Sequence, residues 1–236
     1  MSLVLAIKDR DRIILGADKQ ISDSGSDSAD HTSTKIWAVE ELPGAIMGGV
    51  GSARASQIIQ YTDIIDKNLI NKDVDTSFII RSLVPTIVAS LKANGINAEI
   101  KDGSPCIMLP SSFIFAYKDK AWVIWNDLSV AELTDYLAIG SGSDVAKGAL
   151  FATKNCNPFD RIAVAIGAAA ETTLFVDDRI DLLATELKEG DDLKIAKALG
   201  YEFEKSEAKP KKETKKETKN VKLKKSAANK KQTGVA

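Results

Sequence analysis

The order in which strand-like and helix-like segments follow one another constrains the fold of this chain most strongly. Two segments rich in leucine and β-branched residues, Leu3–Lys8 and Arg12–Asp18, lie on either side of the polar turn Asp9-Arg10-Asp11. They predict two β-strands. Two further strands are predicted at Thr34–Val39 and Ala45–Gly49, beyond a Ser/Asp-rich loop. The chain therefore begins with a block of strands.

A block of helices and a second block of strands follow. Apolar residues recur at helical spacing over Ser52–Ile70. A second helix is predicted at Thr76–Ala93, in which Pro85 should cause a kink or displace a backbone hydrogen bond. Strands are predicted next, at Cys106–Tyr117 and Ala121–Asn126.

The pattern repeats towards the C-terminus. A short strand at Tyr136–Ile139 precedes two helices, Asp144–Thr153 and Pro158–Thr172, and a last strand follows at Ile180–Thr185. Pro158 suits the first turn of a helix, because the N–H that it lacks would be unpaired there. Separate blocks of strands and helices predict an α+β fold in which sheets pack face to face and helices cover them.

The composition predicts one ordinary domain with an appended tail. The chain has 236 residues, of which 44% are hydrophobic, which is enough for a buried core. No apolar run approaches the roughly 20 residues of a membrane-spanning helix, and the N-terminal apolar stretch is too short for a secretory signal. We therefore expect a cytoplasmic protein, in which Cys106 and Cys156 are reduced thiols that pack in the interior.

Charge is distributed unevenly along the chain. Residues 204–236 contain 12 Lys and 4 Glu, which leaves residues 1–203 with a net charge of −9 because the whole chain carries −1. This tail repeats KKET and has almost no large apolar residue, so it is predicted to be disordered. It could improve solubility, or it could bind nucleic acid or another anionic surface. We therefore divide the chain into a domain at 1–203 and a tail at 204–236.

Several enzyme chemistries lack the residues that they need. The only histidine, His31, lies in a polar loop, so a Ser-His-Asp triad has no scaffold. One histidine and two distant cysteines offer few metal ligands, and no G-x-x-x-x-G-K-[ST] phosphate loop is present. The sequence thus indicates no cofactor and no ATPase within the chain, and it leaves open whether a structural ion binds.

Four motifs in a fixed order carry a resemblance to a known family. They are the opening SLVLAIKDRDRIILGADKQIS, which contains Asp18, and then STKIW with Lys35, MGGVGSA with Gly49 and IGSGS with Ser141. In this order and spacing they resemble the proteasome β-subunit family of N-terminal-nucleophile hydrolases, most of all the bacterial ATP-dependent protease peptidase subunit. The resemblance extends to Thr185 and implies the four-layer αββα sandwich of that family.

The resemblance also implies a set of catalytic residues. Ser2 falls on the nucleophile, which is the first residue of the mature chain, so Met1 has to be removed to free the α-amine that acts as base. Asp18 and Lys35 fall on the active-site aspartate and lysine. Gly49 falls on the oxyanion-hole glycine, and Ser141 falls on the serine that orients the terminal amine.

The sequence departs from the family in three respects. Ser2 stands where most members have threonine, although serine is chemically competent and some bacterial members use it. The register places Thr173 near an aspartate of the proteasome that this chain lacks, as the bacterial protease also does. The lysine-rich tail has no counterpart in the family.

Three functions remain open at this level. The first is a peptidase subunit that forms homo-oligomeric rings, cleaves protein or peptide substrates and receives unfolded chains from a partner AAA+ ATPase. The second is a catalytically inactive scaffold or binding protein, because a fold does not guarantee a function. The third is a small-amide hydrolase that acts as a free subunit or small oligomer.

The motif residues also have structural readings. In these, Asp18 and Lys35 form a surface ion pair, Gly48 and Gly49 end a strand in a turn, and Ser141 caps the next helix.

Overall fold

The chain divides into two compact units, Met1–Lys188 and Glu189–Ala236. The computed structural model describes residues 2–20, 34–66, 73–97, 99–100, 107–202 and 224–225. The polar loop with His31, the residue Cys106 and nearly all of the lysine-rich tail lie outside these residues. The predictions made for them, and the predicted boundary after residue 203, therefore stay predictions.

The described strands of the first unit form two sheets and one short ribbon. In chain order they are β1 (Leu3–Asp9), β2 (Arg12–Asp18), β3 (Ile36–Ala38), β4 (Ala45–Gly51), β5 (Glu99–Ile100), β6 (Ile107–Met108), β7 (Ser111–Tyr117), β8 (Lys120–Ile124), β9 (Val130–Glu132), β10 (Tyr136–Gly140) and β11 (Ile180–Ala184). One sheet has the order β10-β1-β2-β11 and the other has the order β3-β4-β7-β8-β9. Neighbouring strands are antiparallel throughout, and β5 pairs with β6.

The described helices of this unit occur in two groups. The first group is α1 (Ala53–Gln60) and a continuous helix made of α2 (Thr76–Phe78), a π-helical segment (Ile79–Leu83) and α3 (Val84–Ala93). The second group is α4 (Ser143–Ala152) and α5 (Pro158–Thr172). The side chain of Asn157 caps α5 by accepting the N–H of Asp160, directly before the proline that begins the helix.

Three apolar interfaces join four layers. One cluster lies between the two sheets and includes Val4 and Leu15 of the first sheet and Ile114 of the second. A larger cluster joins the other face of the second sheet to α1 and to the continuous helix. The helices α4 and α5 cover the outer face of the first sheet. The first unit is therefore the predicted α+β sandwich with layers in the order αββα.

The helix Thr76–Ala93 is long and apolar enough to cross a membrane by length and composition. Its residues Ile79, Leu83, Ile87 and Leu91 are buried in the large cluster, which is how a core helix of a folded domain packs. The π-helical segment precedes Pro85, and the N–H of Val84 donates to the carbonyl of Ile79. This shifted bond confirms the prediction that Pro85 displaces backbone hydrogen bonding.

Several predicted elements are shorter in the structure, and for two of them the contacts show why. The helix predicted at Ser52–Ile70 ends at Gln60, because the N–H groups of Ile64 and Ile65 donate to the Glu41 carboxylate instead of continuing the helix. The strand predicted at Cys106–Tyr117 is broken at Pro110, which has no N–H for a strand ladder.

The second unit contains α6 (Asp191–Ala198) and a ribbon of β12 (Tyr201–Glu202) with β13 (Lys224–Lys225). The sequence analysis predicted neither element, and it also missed the three-residue strand β9 of the first unit. A further correction concerns Cys156, which is exposed and not buried as expected.

Candidate active site

The Asp18 carboxylate lies at the centre of the predicted site. Asp18 is the last residue of β2 and is fully buried. Its Oδ1 accepts the N–H of Leu3 at 2.7 Å and a hydrogen from Lys35 Nζ at 2.6 Å, and its Oδ2 accepts the N–H of Gln20 at 3.1 Å. A buried carboxylate needs such partners to offset its lost hydration. This interior position contradicts the alternative in which Asp18 and Lys35 form an ordinary surface ion pair.

Lys35 directly precedes β3, and only 7% of the residue is exposed. Burial lowers the pKa of its ammonium below the ordinary value, because the charged form loses hydration, and the Asp18 carboxylate opposes this shift. The ammonium binds the same carboxylate oxygen as the N–H of Leu3. It therefore lies beside the peptide bond that joins Ser2 to Leu3.

Ser2 is half-buried, and its carbonyl group is held by the backbone of the IGSGS motif. The N–H of Ser141 donates to the Ser2 carbonyl oxygen at 2.9 Å. The preceding residue, Gly140, has a φ of 105°, and a Cβ there would lie 1.9 Å from the same oxygen. Only glycine permits this approach. The sequence analysis selected Ser141 and missed Gly140, although Gly140 is the first glycine of that motif.

Gly49 lies within β4, close to Lys35 but with its N–H already bonded. That N–H donates to the Lys35 carbonyl at 2.9 Å. A Cβ at Gly49 would lie 2.6 Å from Ser56 Oγ and 3.0 Å from the Phe113 ring, so close packing also explains why a glycine stands there. In this conformation the Gly49 N–H is engaged inside the sheet, and its role as an oxyanion donor stays a prediction.

Two structural alternatives for the motif residues are wrong. Gly48 and Gly49 lie inside β4 and do not form a strand-ending turn. The N-cap residue of α4 is Gly142, and no side chain caps this helix, so Ser141 is not a helix cap. Ser141 is thus hydrogen-bonded to Ser2, and Lys35 is hydrogen-bonded to both Asp18 and Gly49.

An open cavity of about 370 Å³ lies directly beside Ser2. It is bounded by the ends of strands from both sheets, and none of the described residues that line it is charged. The lining residues are Ser2, Val50, Gly51, Pro110, Ser111, Ser112, Asn126, Gly140 and Ser141. A side chain of an extended peptide could therefore lie next to Ser2 in this cavity.

Known proteins share this architecture at low sequence identity. BPH of Thiobacillus denitrificans, solved in complex with epoxomicin, has a TM-score of 0.63 and 20% identity, with 79% of this chain and 99% of that chain covered. HslV of Trypanosoma brucei has a TM-score of 0.54 and 16% identity, with 77% and 98% covered. No protein-family model matches the sequence, and a search of the curated proteins finds no match.

The chain has the proteasome-like N-terminal-nucleophile hydrolase fold. In this proteasome-like fold, Thr173, which the sequence register puts near the absent aspartate, is the C-cap residue of α5. Among the described residues, the carboxylates of Asp177 and Asp181 also raise the pKa of Lys35, in addition to that of Asp18. Sequence reasoning missed them, because only the pairing of β2 with β11 brings them to the site.

No group of three or more His, Cys, Asp or Glu side chains among the described residues is arranged to hold a metal ion. The described residues around Asp18 offer one buried ammonium, one buried carboxylate and several hydroxyl and backbone groups. This set suits acid–base and nucleophilic chemistry on an amide.

Proposed function

We propose that this chain is the peptidase subunit of a self-compartmentalising protease and that Ser2 is its nucleophile. The observation that carries the proposal is the pair of bonds to Asp18 Oδ1, one from Lys35 Nζ and one from the N–H of Leu3. These bonds hold a buried positive charge beside Ser2. A positive charge at that point stabilises the alkoxide and the oxyanion that form during attack on a peptide bond.

The reaction uses Ser2 twice. Removal of Met1 frees the α-amine of Ser2, whose ordinary pKa of about 7.7–8.0 leaves a neutral fraction near pH 7. Ser2 Oγ attacks the substrate carbonyl carbon while the α-amine takes the hydroxyl proton. That proton then passes to the leaving amine, the C–N bond breaks and an acyl-enzyme ester remains. Water hydrolyses this ester and regenerates Ser2.

The other site residues position these groups. Asp18 keeps Lys35 charged and bound, and the Ser141 N–H holds the Ser2 carbonyl. We assign the oxyanion contact to Gly49, which requires its N–H to be released from, or shared with, the Lys35 carbonyl. The substrates are unfolded protein chains or peptides. Subunits assemble into rings in the cytoplasm and receive substrates from an AAA+ unfoldase.

The same chemistry makes Ser2 the expected target of epoxomicin, an epoxyketone peptide. The serine oxygen adds to the ketone and the α-amine opens the epoxide, so the whole inhibitor is added and nothing is lost. Both a hydroxyl and a free amine on one residue are needed. BPH, which shares the fold, is solved with this compound.

The proposal is tested by hydrolysis of unfolded casein and of short fluorogenic peptides. Ser2→Ala should abolish hydrolysis and leave the oligomer intact by sedimentation. Ser90→Ala, the same change on α3 far along the chain, should retain hydrolysis. Retained activity in Ser2→Ala would refute the assignment of the nucleophile. A sedimentation mass far below that of a ring would instead favour a small-amide hydrolase.

A catalytically inactive scaffold is the second candidate, and one observation favours it. The Gly49 N–H, which should bind the oxyanion, is already hydrogen-bonded to the Lys35 carbonyl. An inactive protein would show no reaction with epoxomicin and no hydrolysis of any peptide, even with Met1 removed. Reaction of Ser2 with the inhibitor excludes this candidate.

A further inference from the structure

A second carboxylate, Asp177, is bound to the backbone that directly follows Asp18. Asp177 Oδ1 accepts the N–H of Lys19 at 3.1 Å and the N–H of Arg179 at 3.2 Å. The N–H of Lys19 also donates to the Arg179 carbonyl at 3.1 Å. These bonds attach the end of β2 to the segment that enters β11. The position of Asp18 therefore depends on a contact made by Asp177.

Asp177 also contributes to the charge around Lys35. Among the described residues, the pKa of the buried ammonium is raised by its partner Asp18 at the end of β2 and by the charges of Asp177 and Asp181 on the β11 side. Each of the latter has its own cation: Asp177 binds the Arg179 guanidinium at 2.6 Å and Asp181 binds Lys19 Nζ at 2.9 Å. Asp177 is only 21% exposed, so solvent screens its field on Lys35 incompletely.

We propose that Asp177 is a positioning residue of the peptidase site, which fixes the backbone that carries Asp18 and adds a negative charge to the surroundings of Lys35. The inference rests on the proposed function. Asp177 supplies its carboxylate to this side of the site from the segment between α5 and β11. It acts through Lys19 and Lys35 and does not touch the substrate.

The two parts of this role can be separated by substitution. Asp177→Asn removes the charge but keeps an amide oxygen that can still accept the two N–H groups. Asp177→Ala removes both the charge and the acceptor. Asp178→Asn is the matched control, since Asp178 is the exposed neighbour in the chain and its substitution makes the same change in net charge.

The direction in which the pH–rate profile should move follows from the role of the charged form of Lys35. If the ammonium assists attack, the reaction is lost as pH rises through the pKa of Lys35, which sets the alkaline limb of the pH–rate profile. Removing a nearby negative charge makes the ammonium easier to deprotonate. Asp177→Asn should therefore move the alkaline limb to lower pH, and by less than loss of the Asp18 carboxylate that Lys35 binds directly.

The test is the second-order rate at which epoxomicin modifies Ser2 in the full-length chain, measured across pH for the three variants and the unchanged protein. We expect the alkaline limb to shift to lower pH in Asp177→Asn and not to shift in Asp178→Asn. In Asp177→Ala the rate should in addition fall by at least about tenfold at every pH, because Asp18 is displaced.

The inference is overturned if the alkaline limb of Asp177→Asn does not shift, or if Asp178→Asn shifts it equally. It is also overturned if both Asp177 variants react more slowly without any shift of the limb. A merely structural role would produce that last result. Failure of the proposed function looks different, because the unchanged protein would then not be modified at Ser2 at all.

Discussion

The contact between Gly140 and Ser2 allows a sharp prediction from one added methyl group. In Gly140→Ala the new Cβ would lie 1.9 Å from the Ser2 carbonyl oxygen, 2.8 Å from the Ser2 carbonyl carbon and 3.3 Å from the Cα of Leu3. All three are backbone atoms, so no side-chain rotation relieves the overlap. The residue also has a φ of 105°, which non-glycine residues rarely adopt.

The magnitude has two parts. A non-glycine residue in such a backbone region costs about 1–3 kcal/mol. Moving Ser2 away breaks the hydrogen bond from the Ser141 N–H, which contributes about 0.5–1.5 kcal/mol net. We therefore expect Gly140→Ala to lower the free energy of unfolding by about 2–4 kcal/mol. For a unit of this size, that corresponds to a fall in Tm of roughly 5–15 °C.

The functional effect should exceed the effect on stability. Displacing Ser2 by about 1 Å misaligns the hydroxyl, the α-amine and the Lys35 ammonium, which should slow the reaction with epoxomicin by about 100-fold or more. The matched control is Gly148→Ala on α4, where a Cβ meets no atom within 4 Å. That change should raise stability by about 0.5–1 kcal/mol and leave the reaction rate unchanged.

Thermal unfolding and the rate of Ser2 modification together decide this prediction. If Gly140→Ala keeps both the Tm and the rate of the unchanged protein, the Ser2 carbonyl does not lie against Gly140. The Ser141 N–H would then not hold the Ser2 carbonyl in this position either.

Three further predictions concern the buried pair, the packing of α5 and a helix cap. Asp18→Asn removes the charge that opposes the effect of burial on the pKa of Lys35; the alkaline limb of the pH–rate profile should therefore move to lower pH, and further than in Asp177→Asn, and an unmoved limb would contradict this. Gly16→Ala places a Cβ 2.3 Å from Ile162 Cγ2 and should cost about 1–3 kcal/mol in denaturant unfolding; an unchanged midpoint would show that Ile162 adjusts freely. Ser52→Ala removes the side-chain oxygen that accepts the Ala55 N–H and should cost about 1 kcal/mol, whereas Ser52→Asp should lose much less.

The fold could be predicted from the sequence because its strands and helices carry strong local signals. The boundaries of β2 and α5 agree with the prediction residue for residue, since a polar turn precedes one and Asn157 with Pro158 begins the other. The prediction that the helix beginning at Ser52 continues beyond Gln60 was wrong for a non-local reason. The apolar spacing continues past Gln60, but a distant carboxylate, that of Glu41, captures the N–H groups that would extend the helix.

From the sequence, only residues within the four motifs were selected for the candidate site. Resemblance selected Ser2, Asp18, Lys35 and Ser141, and the structure links them by direct hydrogen bonds or through the N–H of Leu3. Gly140 stands in the IGSGS motif, but its contact with Ser2 could not be foreseen, and no motif contains Asp177. Both contacts join residues more than a hundred positions apart in the chain, which the pairing of β1 with β10 and of β2 with β11 brings together.

The central claim is that Ser2 carries both a free α-amine and a reactive hydroxyl. Intact mass spectrometry of the purified chain before and after exposure to epoxomicin tests this most directly, with Ser2→Ala as the control. The account predicts loss of Met1, addition of one complete inhibitor molecule per chain, location of the adduct at residue 2 by peptide mapping, and no addition to Ser2→Ala. Retention of Met1 on the whole population, or an adduct that survives in Ser2→Ala, would contradict it.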